Sequence, residues 1–164
     1  MKSLTQQLGQ YAAYHRDRRN VMTHFVGIPM IVLAATILLA RPTFAIGDWF
    51  ISPALLVAVV LTLYYLKLDL RYGLVMGVLL TLALALAGEV AEGTDLMPWL
   101  GWGVGLFVVG WIIQFIGHHY EGRKPAFLDD IMGLAIGPLF VVAEAGFLLG
   151  LRRDVERSIA AQPE

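Results

Sequence analysis

The sequence predicts an all-α integral membrane protein. Three observations carry this: 58% of its 164 residues are hydrophobic and only 15% charged, the mean hydropathy is +0.69, and long apolar runs alternate with short polar connections. A soluble domain is typically about 45–50% apolar and about 25% charged. The predicted architecture is four transmembrane helices, a broken, re-entrant fifth segment and an N-terminal helix on the membrane surface. The short connections leave room for a single integral-membrane domain over 1–164. A formal net charge of −1 gives no electrostatic footprint for nucleic acid. The absence of cysteine excludes disulfides, thiolate metal sites, iron–sulfur clusters and a cysteine nucleophile.

A membrane helix needs about 20 mostly apolar residues. The run 21–40 is apolar except for Thr23, His24 and Thr36, and exceeds the about 7–15 residues of a signal-peptide core, so it reads as a retained span. The second, 51–66, is short and dense in Leu and Val; the third, 72–87, carries no charge; the fourth, 100–117, holds one strongly polar side chain, Gln114. Residues 4–19 precede the first span and form the surface helix. The fifth run, 131–151, contains Glu144 and is expected to break at Gly137-Pro138, where proline removes a helical hydrogen bond. Gly73/Gly77 and Gly101/Gly105 are small-residue pairs suited to helix packing, and Trp49, Trp99 and Trp102 suit the membrane boundary.

Basic residues concentrate on the cytoplasmic side. With the N-terminus inside and four crossings, a re-entrant fifth segment leaves 11 of the 12 basic residues inside, Arg41 alone being outside. A full fifth crossing would strand Arg152, Arg153 and Arg157 on the wrong face. This topology also gathers all four histidines, His15, His24, His118 and His119, at the cytoplasmic face.

Imidazole binds iron, zinc, copper and nickel, and ionisable groups inside a membrane are costly enough to mark function. His15 and His24 lie nine residues apart, about 180° out of phase on a continuous helix. A shared ion therefore requires a bend between them, expected at 16–20. Asn20 with His24 and Gln114 with His118 share helix faces at a spacing of four, so that the Gln114 amide could orient the imidazole. His118 and His119 can serve one site if the helix ends at Gly117. Glu144 needs a partner, either an arginine or tyrosine hydroxyl or the site itself. Asp129 and Asp130 read as helix caps. Arg123 and Lys124 follow the charge bias or bind a substrate carboxylate. No hydrolase elbow, zinc-protease pair, P-loop or dinucleotide fingerprint is present.

Tyr14-His15, Asn20-Val21, His24 and Pro29 resemble the first motif of the membrane 2-hydroxy fatty acid dioxygenase family, whose fungal member acts in phytosphingosine breakdown to odd-chain fatty acids. The stretch from Gly110 to Asp130 resembles the second, through Gly110-Trp111, Gln114-Phe115, Gly117-His118, Glu121 and Pro125-Ala126. Pro138 and Glu144 form a weaker third match. The resemblance implies a non-haem Fe(II) enzyme that shortens a 2-hydroxy fatty acid by one carbon, with O2 consumed and CO2 released. It implies His15, His24 and His118 as iron ligands with His119 as a fourth candidate. Glu121 and Glu144 would tune the catalytic site, and Asn20, Gln114, Arg123 and Lys124 would meet the substrate. The partners are then the fatty acid, O2 and the bilayer, a bacterial inner membrane or an endoplasmic reticulum membrane, with the oligomeric state open. The competing readings are a haem-binding protein, a lipid-binding protein without oxygenase activity, and a histidine-ligated zinc hydrolase.

Overall fold

The computed structural model describes residues 2–125 and 128–161; Ala126 of the second motif lies outside them. The chain is helical, with α1 (Leu4–Ala12), α2 (Arg18–Ala40), a hairpin β1 (Phe44–Ile46) and β2 (Trp49–Ile51), then α3 (Pro53–Leu68), α4 (Leu70–Gly93), α5 (Leu96–Glu121), α6 (Met132–Leu148) and α7 (Arg153–Ala160). Among the described residues, three helices are long and apolar enough to cross a membrane: α2, α4 and α5. The pair α6–α7 makes a fourth candidate if its bend is one broken span, and α3 is apolar but shorter. The all-α membrane architecture stands as expected.

The structure divides into two compact units. One comprises the chain up to Ile28 and from Ile112 onward; the other is Pro29–Trp111.

In the first unit, α1 opens with a capping box: Ser3 Oγ accepts from Gln6 N–H and the Gln6 side chain accepts from Ser3 N–H. Leu4, Gln7, Leu8 and Tyr11 form its buried face, and the helix packs on α6 and α7. The expected surface helix over 4–19 is shorter than read, since α1 stops at Ala12 and α2 starts at Arg18. The backbone break therefore covers 13–17, overlapping the expected 16–20 at Arg16 and Asp17.

A second correction concerns the fifth segment. Helix α6 runs unbroken through Gly137 and Pro138. Proline costs one backbone hydrogen bond but is tolerated in apolar helices. The bend comes after Leu148 and reaches 112°. There Gly150 takes φ 74°, Leu151 N–H bonds Gly146 C=O at 2.8 Å and Gly150 N–H bonds Phe147 C=O at 2.9 Å. These paired bonds form a Schellman termination, which a left-handed glycine permits. Arg152, also left-handed at φ 50°, completes the turn into α7.

In the second unit, Asp69 alone joins α3 to α4. Its N–H bonds Tyr65 C=O and its carboxylate accepts from Tyr72 N–H at 3.0 Å. Gly73 lies so close to Leu66 that an added Cβ would sit 2.6 Å from backbone, and Gly77 faces Thr62. The other small-residue pair behaves differently: Gly101 and Gly105 meet nothing within 4 Å, while the intervening Gly103 abuts Leu38. Trp99 donates from Nε1 to Ile37 C=O at 2.9 Å, and the Arg41 guanidinium lies 5.2 Å above the Trp99 ring. The hairpin is an element absent from the helical expectation. Gly47, at φ 60°, supplies the positive torsion of its two-residue turn.

Substituting Gly150→Ala should destabilise the protein by about 1–2 kcal/mol, the cost of forcing a Cβ into the left-handed region. Gly88→Ala, in α4 with open space around it, should be neutral or stabilising. Thermal denaturation in detergent checks both; equal effects would contradict the assigned helix stop.

Candidate metal centre

The break at 13–17 lets the chain double back, so that His15 meets the second turn of α2. His15 Nδ1 lies 2.7 Å from Tyr11 C=O, and His24 Nδ1 lies 2.8 Å from Asn20 C=O. A carbonyl oxygen only accepts, so in both rings the proton belongs on Nδ1. Each Nε2 then carries a free lone pair, and the two Nε2 atoms face one another at 2.9 Å. Two lone pairs at that distance repel unless a cation lies between or beside them. The spacing is that of neighbouring nitrogens on one first-row metal ion with bonds about 2.0–2.1 Å long.

His118, in the last turns of α5, completes the group. Ligating atoms of His15, His24 and His118 all lie within 4.8 Å of one another, and all three residues are buried. The His118 ring centroid is 5.0 Å from that of His15 and 5.1 Å from that of His24. Its Nδ1 is buried without a hydrogen-bond partner among the described residues. Burial pushes the pKa of His15 down to about 4, which keeps the imidazole neutral and available as a ligand at physiological pH. The donor set fits a divalent metal ion.

An aromatic wall shields the group. Tyr11 stacks on His15 with centroids 4.2 Å apart and planes 8° from parallel, and Phe140 lies 4.9 Å from Tyr11 and 5.4 Å from His15. Phe140 carried no signal in the sequence. Tyr11 did carry one, since it precedes His15 by four residues and could share its face.

Glu121 organises the break rather than the ring nitrogens. Its carboxylate accepts from Arg16 N–H at 2.9 Å, Asp17 N–H at 2.8 Å and Asn20 Nδ2 at 3.0 Å. One side chain from the end of α5 thus pins the doubled-back segment and the first turn of α2. Asn20 links this clamp to the imidazoles because its own carbonyl orients His24. Asp17 caps α2 by accepting from Arg19 N–H at 2.8 Å. Gly117 permits the close approach: an added Cβ would collide with Thr23 Oγ1 and lie 2.5 Å from Asn20 Oδ1.

The remaining expected site residues are dispersed. Helix α5 does not end at Gly117 but continues to Glu121, so His119 points away from His118; it is exposed and lies beside Tyr120. Arg123 donates to Ala13 C=O at 3.0 Å. Lys124 pairs with Asp129, which also accepts from the Tyr14 hydroxyl at 2.9 Å. Asp130 accepts from Met132 N–H at 3.0 Å, close to its expected role at a helix start. Glu144 is half-buried on α6 and hydrogen-bonds to none of the three imidazoles. Gln114 is buried one turn before His118, and its amide makes no hydrogen bond to that ring.

Comparison with known proteins gives the chain's family. The family model described as 2-hydroxy-palmitic acid dioxygenase Mpo1-like matches residues 1–148. The chain belongs to the Mpo1-like family. A Saccharomyces cerevisiae relative, 2-hydroxy-palmitic acid dioxygenase MPO1, is 35% identical over 150 residues, covering 90% of this chain and 82% of the yeast protein. No solved structure matches the chain. The residues that build the imidazole group and its clamp all fall inside the stretch matched to the Mpo1-like family.

Replacing Glu121 by alanine should lower divalent-cation affinity about 10–100-fold, the usual effect of removing a group that orients metal ligands. Equilibrium metal titration checks this, and unchanged affinity would contradict the clamp. Gly117→Ala should cost about 1–3 kcal/mol of stability through overpacking, whereas Gly101→Ala, which meets open space, should not.

Proposed function

We propose that this protein is a non-haem Fe(II) dioxygenase of 2-hydroxy fatty acids, with His15, His24 and His118 holding the iron. The observation that carries the metal assignment is the pair of Nε2 lone pairs facing at 2.9 Å while both Nδ1 protons are committed to backbone carbonyls. The substrate class comes from the Mpo1-like family and its yeast relative. The balanced reaction is a 2-hydroxy acid plus O2 giving the acid one carbon shorter, CO2 and water. The substrate supplies all four electrons, so no second reductant enters.

Iron(II), held by His15, His24 and His118, would supply the redox chemistry that dioxygen requires. The chain's own groups do the rest. Tyr11 and Asn20 carbonyls hold the His15 and His24 rings in the tautomer that ligates. Tyr11 and Phe140 exclude water from one side of the cluster. Glu121 keeps His15 on the α2 side by holding Arg16 and Asp17. Apolar helices bring the site to a bilayer, where an acyl chain stays among lipid while its polar end reaches the imidazoles. The basic-residue bias supports a site at the cytoplasmic face, of a bacterial inner membrane or of the endoplasmic reticulum.

The haem alternative is disfavoured by geometry. With His24 and His118 as axial ligands, the His15 Nε2 atom, 2.9 Å from His24 Nε2, would occupy the space of the macrocycle. A zinc hydrolase would use the same nitrogens, and oxygen dependence separates the two.

Protein purified anaerobically in detergent should contain close to one iron per chain. With 2-hydroxypalmitate it should consume one O2 for each one-carbon-shorter acid formed, and His24→Ala should abolish this. Turnover without oxygen, or zinc as the only bound metal in the active protein, would contradict the assignment.

A further inference from the structure

Three buried polar atoms around the cluster, Asn20 Oδ1, His118 Nδ1 and Gln114 Nε2, have no hydrogen-bond partner among the described residues, and Gln114 supplies the one amide donor among them. It is 4% exposed, lies in the membrane-spanning α5, and shares a helix face with His118 one turn away. Its Nε2 has no hydrogen-bond partner among the described residues. Because His118 Nδ1 is unpartnered as well, the amide is not there to orient that ring. An amide N–H deprived of an acceptor in an apolar span is costly. No oxygen of the described residues accepts from this donor, Asn20 Oδ1 being left unpartnered as well, so the side chain is placed to meet an oxygen that a ligand brings.

Two cationic side chains near this end of the unit are already engaged, Arg123 by Ala13 C=O and Lys124 by Asp129. Gln114 is left as a neutral donor one helical turn from His118 on α5. Its position selects the oxygen. Four residues along α5 put it about 6 Å further into the apolar span than His118. In a fatty acid whose chain lies along the span, the C2 hydroxyl sits on the chain side of the carboxylate.

We propose that Gln114 Nε2 donates a hydrogen bond to the 2-hydroxyl oxygen of the bound fatty acid and thereby selects 2-hydroxy acids over unsubstituted ones. This rests on the reading that the imidazole cluster binds a 2-hydroxy acid. A site built to bond a substrate oxygen rejects an analogue without it far more strongly than an apolar pocket rejects a missing methylene, because the buried donor is left unpaired.

The test is equilibrium binding, without oxygen, of 2-hydroxypalmitate and palmitate to Fe(II)-loaded protein in detergent, with metal content measured on the same samples. Wild type should prefer the hydroxy acid. Gln114→Met, which keeps the length without a donor, should lose about tenfold or more of that preference with palmitate affinity and iron content unchanged. Gln114→Asn, whose donor is one methylene short, should fall between and serves if the methionine variant does not fold. A preference equal to wild type in these variants would overturn the assignment to Gln114 alone. Loss of iron in both variants would also overturn it, since the amide would then serve the imidazoles. A wild type without preference would bring down the underlying substrate reading as well.

Discussion

Two imidazoles held with their lone pairs toward each other are the constraint on which the site depends. Such a contact is repulsive in isolation, and it persists because each ring is tied from behind to a backbone carbonyl, Tyr11 for His15 and Asn20 for His24. Burial removes the simple escape, protonation of one ring, by disfavouring the charged form. In the proposed function, a divalent ion resolves the conflict by turning two repelling lone pairs into two ligand bonds. On that reading the apparent strain is the preorganisation of a binding site.

Everything nearby serves that pair. The chain cannot present His15 and His24 to one point on a continuous helix, so it breaks between α1 and α2, and a break exposes backbone N–H groups. Glu121 satisfies two of them and adds Asn20, whose carbonyl fixes His24. Gly117 keeps α5 near enough to the start of α2 for His118 to join. Clamp, close approach and third imidazole all come from one stretch of α5 five residues long, Gly117 to Glu121.

The convergence of the imidazoles was legible in the sequence, because charge bias and span counting put all of them at one membrane face. The need for a bend was legible too, from the half-turn phase between His15 and His24. The role of Glu121 was not, since its partners are backbone groups exposed only once the chain has doubled back. His119 drew attention on the premise that the helix ends at Gly117; the helix goes on to Glu121, and the adjacent side chains diverge. The bend near the C-terminus was misplaced because Pro138 is a conspicuous breaker, while the stop at Gly150 depends on a left-handed glycine and two specific carbonyls. The hairpin at 44–51 was missed because its signal, one glycine between two apolar triplets, is lost in a strongly apolar chain.

X-ray absorption at the metal edge tests the central claim most directly. Iron-loaded protein should show nitrogen and oxygen neighbours at about 2.1 Å with the outer-shell scattering of three imidazoles, falling to two in His15→Ala. A spectrum without imidazole scattering, or one that His15→Ala leaves unchanged, would contradict a shared ion at these rings.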